Sequence, residues 1–137
     1  MLPEFKFHHI GIATNSINNT AQSYSVLGYT MSGKIYDPIQ NVSIAFIEKI
    51  GMPRIELVEP GLTTHNCPVS KIIKNMGVSP YHICYGVDNL ETAIDKLKMK
   101  KYLLLAQPIA AIAIDNKKIC FLYNVEVGLI ELVECEI

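Results

Sequence analysis

The chain has 137 residues, half of them hydrophobic, and a net charge of −1. That length suits one domain with a real core, and that composition excludes disorder. The absence of any basic patch argues against nucleic acid and anionic membrane as partners.

The first six residues carry no apolar signal-peptide core. The longest apolar run, Ile109 to Ile114, is far shorter than the ~20 residues of a membrane span. Four widely spaced cysteines without a CxxC pair read as reduced, buried thiols of a cytoplasmic protein.

In chain order, Phe7 to Ala13 alternates as a first strand. Thr14-Asn15-Ser16 offers a helix N-cap and Gly28 a stop. Between them Ile17, Ala21, Tyr24 and Leu27 recur at helical spacing. Tyr29 to Tyr36 reads as a strand broken at Ser32-Gly33. Val42–Glu48 and Arg54–Glu59 read as a hairpin turning over residues 49–53. A loop from Pro60 to Asn66 leads to a short helix opened by Pro68, with Val69, Ile72, Ile73 and Met76 on one face and Gly77 at its end. The second half repeats the order. Strand 81–87 is followed by an Asp88/Asn89 cap, a helix from Leu90 to about Lys100, and a strand at 102–105. Pro108 interrupts, and strands follow at 118–123 and 129–134.

Two words recur. His9-Ile10-Gly11-Ile12 has its echo in His82-Ile83-Cys84-Tyr85, 73 residues on. Ile55-Glu56-Leu57-Val58-Glu59 returns unchanged at 130–134, 75 residues on. Two unrelated words at nearly one offset mark an internal repeat. The chain therefore reads as α+β, one domain over residues 1–137. Module 1 covers about 5–60, a linker helix about 67–77, and module 2 about 80–135. Each module is βαβββ. Together they are expected to form a cupped mixed sheet with the helices outside.

Alternation puts His9, Glu56, His82 and Glu131 on the faces opposite the helix-packing residues. A lone strand histidine is usually structural. Two at equivalent places, each with its own glutamate, point to a divalent metal, because four such groups buried unpaired would be costly. Two imidazoles and two carboxylates suit Zn, Co, Ni, Mn or Fe. The alternative is a pair of buried His–Glu hydrogen bonds. His8 falls on the other face of its strand and His65 in a polar loop. Gln40 reads as a loop residue, Tyr81 and Tyr85 as packing, and Glu59 and Glu134 as exposed strand ends.

At these residues the chain resembles the vicinal oxygen chelate, or glyoxalase/bleomycin resistance, superfamily, and within it the methylmalonyl-CoA epimerases. The matching words are His9–Ala13, Leu27-Gly28-Tyr29, Gln40-Asn41-Val42, Ile55–Pro60, Pro68–Ile73, His82–Asn89 and Gly128–Leu132. The resemblance implies one divalent metal held by His9, Glu56, His82 and Glu131, a cupped sheet around it, and a homodimer. It implies a small-molecule substrate, with an acyl-CoA thioester as the candidate. Both carboxylate positions carry Glu, as in glyoxalase I, where epimerases can carry Gln at one. Two features depart from the epimerase pattern. Pro108–Asp115 lacks the glycine of the corresponding segment, and Ile44-Ala45 stand where some epimerases carry an extra acid.

The function expected is proton abstraction next to a carbonyl, with the metal as Lewis acid. Glu131 is the first candidate to move the proton and Glu56 the second. A glyoxalase I-like lyase acting on a hemithioacetal uses the same residues. A small-molecule binding or resistance protein of the same fold is the third reading. An extradiol dioxygenase fits less well, because that chemistry uses two His and one carboxylate with open positions for oxygen.

Overall fold

The computed structural model describes residues 4–61 and 67–136. His65 and most of the loop expected at 60–66 lie outside the described residues. The chain divides into two compact units. One holds His9–Tyr81, and the other holds His82 onward together with the residues up to His8.

In the first unit, the His9–Ala13 part of β1 (Lys6–Ala13) leads to α1 (Ile17–Ser25), capped by the Ser16 side chain accepting from Asn19 N. Then come β2 (Thr30–Met31), β3 (Ile35–Asp37), β4 (Val42–Glu48), β5 (Ile55–Pro60) and α2 (Pro68–Met76). The strand order is β2-β4-β5-β1, with β3 also paired to β4. The outer strand of the βαβββ module is thus split in two, the break falling at residues 32–34. β1 runs parallel to β5, Ile10 facing Ile55, while β4 and β5 are antiparallel. Ile12, Ala45, Ile47, Ile55 and Leu57 point to one side and pack under Ile17 and Ala21 of α1. The helix has poor intrinsic propensity, with two Asn and two Ser among its nine residues, so this apolar contact holds it.

The second unit repeats the plan. β6 (Ser79–Val87) leads to α3 (Leu90–Lys98), capped by Asn89, whose side chain accepts from Thr92 N. β7 (Leu103–Leu104), β8 (Ile109–Ala111), a 3-10 turn (Ile112–Ile114), β9 (Lys117–Asn124) and β10 (Gly128–Glu134) follow. The order is β6-β10-β9-β7, with β8 also on β9. β6 is parallel to β10, Ile83 facing Ile130, the counterpart of the Ile10–Ile55 pair. Leu90, Ala93 and Ile94 pack on Cys120, Leu122, Ile130 and Leu132, and Phe5 meets Tyr85 edge-on at 6.5 Å.

Five expectations need correction. Leu27 lies past the end of α1 and is 58% exposed rather than packed. Met76 is likewise exposed, and Val69 is the buried residue of α2. Ile83, expected from strand alternation on the helix-packing side, is 39% exposed. The Leu90 helix ends at Lys98, because Lys101 takes a positive φ and the chain turns there. The segment after Pro108 is not merely an interruption. It re-forms the outer strand as β8, then turns through Asp115 and Asn116, both at positive φ, into β9.

Candidate functional site

In each unit the strand face away from the helix carries a buried His–Glu pair. In the first unit, His9 Nε2 lies 3.4 Å from Glu56 Oε1. In the second, His82 Nε2 lies 3.1 Å from Glu131 Oε1. All four side chains are at most 5% exposed. Each pair is built identically: the histidine comes from the module's first strand and the glutamate from its last, brought together by the parallel pairing of those strands.

Each pair has a third member that sequence reasoning missed. Phe46 stands opposite Glu56 in the β4–β5 ladder and meets the His9 ring edge-on, 78° between planes and 5.5 Å between centroids. Phe121 stands opposite Glu131 in the β9–β10 ladder and meets His82 at 85° and 5.4 Å. The signal was present: both phenylalanines lie ten residues before their glutamate. Beside Phe46 on the same face, Ile44 is 4% exposed, so the neighbourhood of the missing acid is an apolar wall.

The remaining residues fall outside these clusters. Glu59 and Glu134, expected to be exposed, are helix-capping groups. Glu59 Oε1 accepts from Ile17 N at 2.8 Å, and Glu134 Oε2 accepts from Leu90 N at 2.9 Å. Each closes the N-terminus of its own module's helix, where a carboxylate satisfies an unpaired amide and complements the helix dipole. Gln40 serves its loop: its side chain donates to Asp37 Oδ2 at 2.8 Å, while Asp37 Oδ1 accepts from the Ile39 and Gln40 amides. Cys84 and Cys120 are buried. Burial, and then the charge of Glu131, push the Cys120 thiol up to about 12.

The donor chemistry fits a divalent cation. Two atoms bound to one ion at about 2.1 Å stand roughly 3.0–3.4 Å apart, which is the separation within each pair. Imidazole and carboxylate are donors that borderline divalent ions accept. The same separation suits a hydrogen bond inside each pair, and metal analysis separates the two.

The pattern of the Glyoxalase/Bleomycin resistance protein/Dioxygenase superfamily matches residues 8–121. The mitochondrial methylmalonyl-CoA epimerase of Homo sapiens is 30% identical over 131 residues, covering 93% of this chain and 72% of that protein. The structure of methylmalonyl-CoA epimerase from Mycobacterium tuberculosis superposes with a TM-score of 0.82 at 22% identity, over 96% of this chain and 89% of that one. A Streptomyces coelicolor methylmalonyl-CoA epimerase variant in complex with 2-nitronate-propionyl-CoA gives 0.79 at 21% identity, over 96% and 98%. The last two likenesses establish the fold.

Proposed function

Because the chain belongs to the glyoxalase/bleomycin resistance protein/dioxygenase superfamily, we propose that it is a metal-dependent epimerase of the methylmalonyl-CoA epimerase kind, exchanging a proton next to a thioester carbonyl. The observation that carries this reading is the matched His–Glu–Phe set, found once in each repeat and buried in both. A fold can be supported by apolar residues on that face. Two identical polar sets maintained there cost stability, and they need a chemical reason.

His9, Glu56, His82 and Glu131 would hold one divalent ion of Co, Ni, Zn, Mn or Fe. Such an ion, when bound, supplies Lewis-acid stabilisation for charge developing on the carbonyl oxygen. The remaining work falls to the chain. Inversion at carbon needs a proton taken from one face and returned to the other, which two carboxylates can share. Glu131 is assigned the abstraction and Glu56 the return. Ile44, two residues before Phe46 on the same strand, is apolar and offers no acid of its own. Phe46 and Phe121 hold the imidazole rings in place and keep water from the pairs. The reading extends to a homodimer acting on a small acyl-CoA in the cytoplasm. The free thiols of Cys67, Cys120 and Cys135 support a reducing compartment.

The test is elemental analysis of protein purified without a metal-affinity tag, beside His82→Ala, followed by deuterium uptake into methylmalonyl-CoA. About one metal per chain, lost in the variant, with uptake abolished in Glu131→Ala, is the expected result. Uptake retained in Glu131→Ala overturns its assignment. No metal after reloading with Co²⁺ or Ni²⁺ makes the four residues structural and puts the small-molecule binding reading first. A second enzymatic reading is favoured by one observation: both carboxylate positions carry Glu. A glyoxalase I-like lyase would convert a hemithioacetal in the same panel and leave methylmalonyl-CoA untouched.

A further inference from the structure

Arg54, the only arginine in the chain, immediately precedes β5. Its guanidinium carbon lies 3.8 Å over the centroid of the Phe46 ring, the same ring that meets His9 edge-on. Its Nε donates to Glu48 Oε1 at 2.7 Å. Stacking and this hydrogen bond together fix the plane of the guanidinium. Among the described residues nothing accepts from its two Nη groups, and the side chain is 38% exposed. Arg54 lines a cleft of about 630 Å³ together with Gly28, Thr30, Glu48, Lys49, Ile50 and Met52. Lys49 is pinned there by donating to the Leu27 carbonyl at 2.7 Å, so the cleft holds two cations against one carboxylate.

The repeat sharpens the point. Histidine, glutamate, phenylalanine and helix-capping glutamate all recur at their equivalent places. Arg54 does not: 75 residues on stands Leu129. A cation with two free nitrogens, rigidly held one ring away from a His–Glu pair and present on one half only, has no counterpart in the shared scaffold.

We propose that Arg54 is the substrate anchor of this protein, binding a phosphate of the thioester substrate remote from its reacting carbon. This inference rests on the acyl-thioester reading above. A planar fork of Nη donors takes such an oxyanion through two parallel hydrogen bonds, and the cleft has the size of ordinary small-molecule sites. The anchored end then orients the acyl end toward His9 and Glu56, and binding energy gained away from the reaction is used for positioning.

The experiment is calorimetric titration of the full chain with coenzyme A, dephospho-coenzyme A and methylmalonate. It uses wild type, Arg54→Ala, Arg54→Met and Arg54→Lys. Coenzyme A affinity should fall about tenfold in Arg54→Ala and Arg54→Met and stay partly preserved in Arg54→Lys. Arg54→Met keeps an apolar cover on Phe46, so a melting curve like wild type with lost affinity separates anchoring from folding. An effect on coenzyme A alone identifies its ribose phosphate, an effect shared with dephospho-coenzyme A the diphosphate, and an effect on methylmalonate alone overturns the remote anchor, since that carboxylate is bonded to the reacting carbon. Unchanged affinity for all three probes in the Arg54 variants, or no binding to wild type, overturns the proposal. Arg54-dependent coenzyme A binding by a protein that takes up no metal would uphold the anchor and sink the epimerase reading alone.

Discussion

The two phenylalanines work at the smallest scale. An imidazole that must present one nitrogen is useful only if its ring cannot swivel, and Phe121 meets the His82 ring at 85°. Phe121→Leu should keep the fold and weaken Co²⁺ binding by roughly tenfold, measured by chelator competition, because support around a ligand typically matters at that level. Gly61 shows a different constraint. A Cβ there would stand 2.5 Å from the Asn41 carbonyl oxygen, which accepts from the Gly61 amide at 2.9 Å and from Cys67 Sγ at 3.7 Å. Gly61→Ala forces the two backbones apart and should cost about 1–3 kcal/mol in urea unfolding, as other overpacking changes do. Gly61 did not stand out in the sequence, and Phe121 was marked only by the ten-residue spacing to its glutamate that it shares with Phe46. Phenylalanine in an apolar strand carries no polar signal, and a glycine beside a loop looks like any turn. His9, Glu56, His82 and Glu131 stood out because a charge amid apolar alternation is conspicuous, and doubly so when it recurs.

Among the elements, the helix starts teach most. Ser16 and Asn89 were readable as caps because cap residues have a fixed place relative to the apolar stripe. Glu59 and Glu134 were not, since a charge at a strand end has the same pattern whether it meets water or a distant amide. The partners are 42 and 44 residues apart, beyond any local signal. Glu134→Ala should cost about 1–2 kcal/mol and speed amide exchange at Leu90, while leaving Ile17 unaffected. Equal protection of Leu90 in variant and wild type would refute the capping role. The short outer pieces were partly legible. The break at Ser32-Gly33 was visible, whereas β8 hid behind Pro108, a residue that marks both an interruption and a strand's edge.

At the level of the molecule, the duplicated architecture extends into the core: Leu57 and Leu132 are both fully buried at matching positions under α1 and α3. Leu132→Ala should cost about 2–5 kcal/mol, read from the urea midpoint, with Leu57→Ala alike. Stability also has an alkaline limit. Desolvation, then Tyr29, raises the Tyr24 phenol above its ordinary 10, and burial, then Glu131, raises the Cys120 thiol from 9 to about 12. Both groups are neutral in the folded protein where the unfolded chain would already ionise. Their contribution is complete below about pH 9 and lost as pH rises toward 12. The urea midpoint should therefore fall between pH 8 and pH 11, and a flat profile would contradict this. The split outer strands carry a last consequence. A long continuous border strand would offer an open ladder on which further chains could stack. Here the outer border of each module is two short pieces, of two and three residues, interrupted at 32–34 and 105–108. The duplication that built this protein from β-rich halves thus left each half a frontier too ragged to template fibre growth.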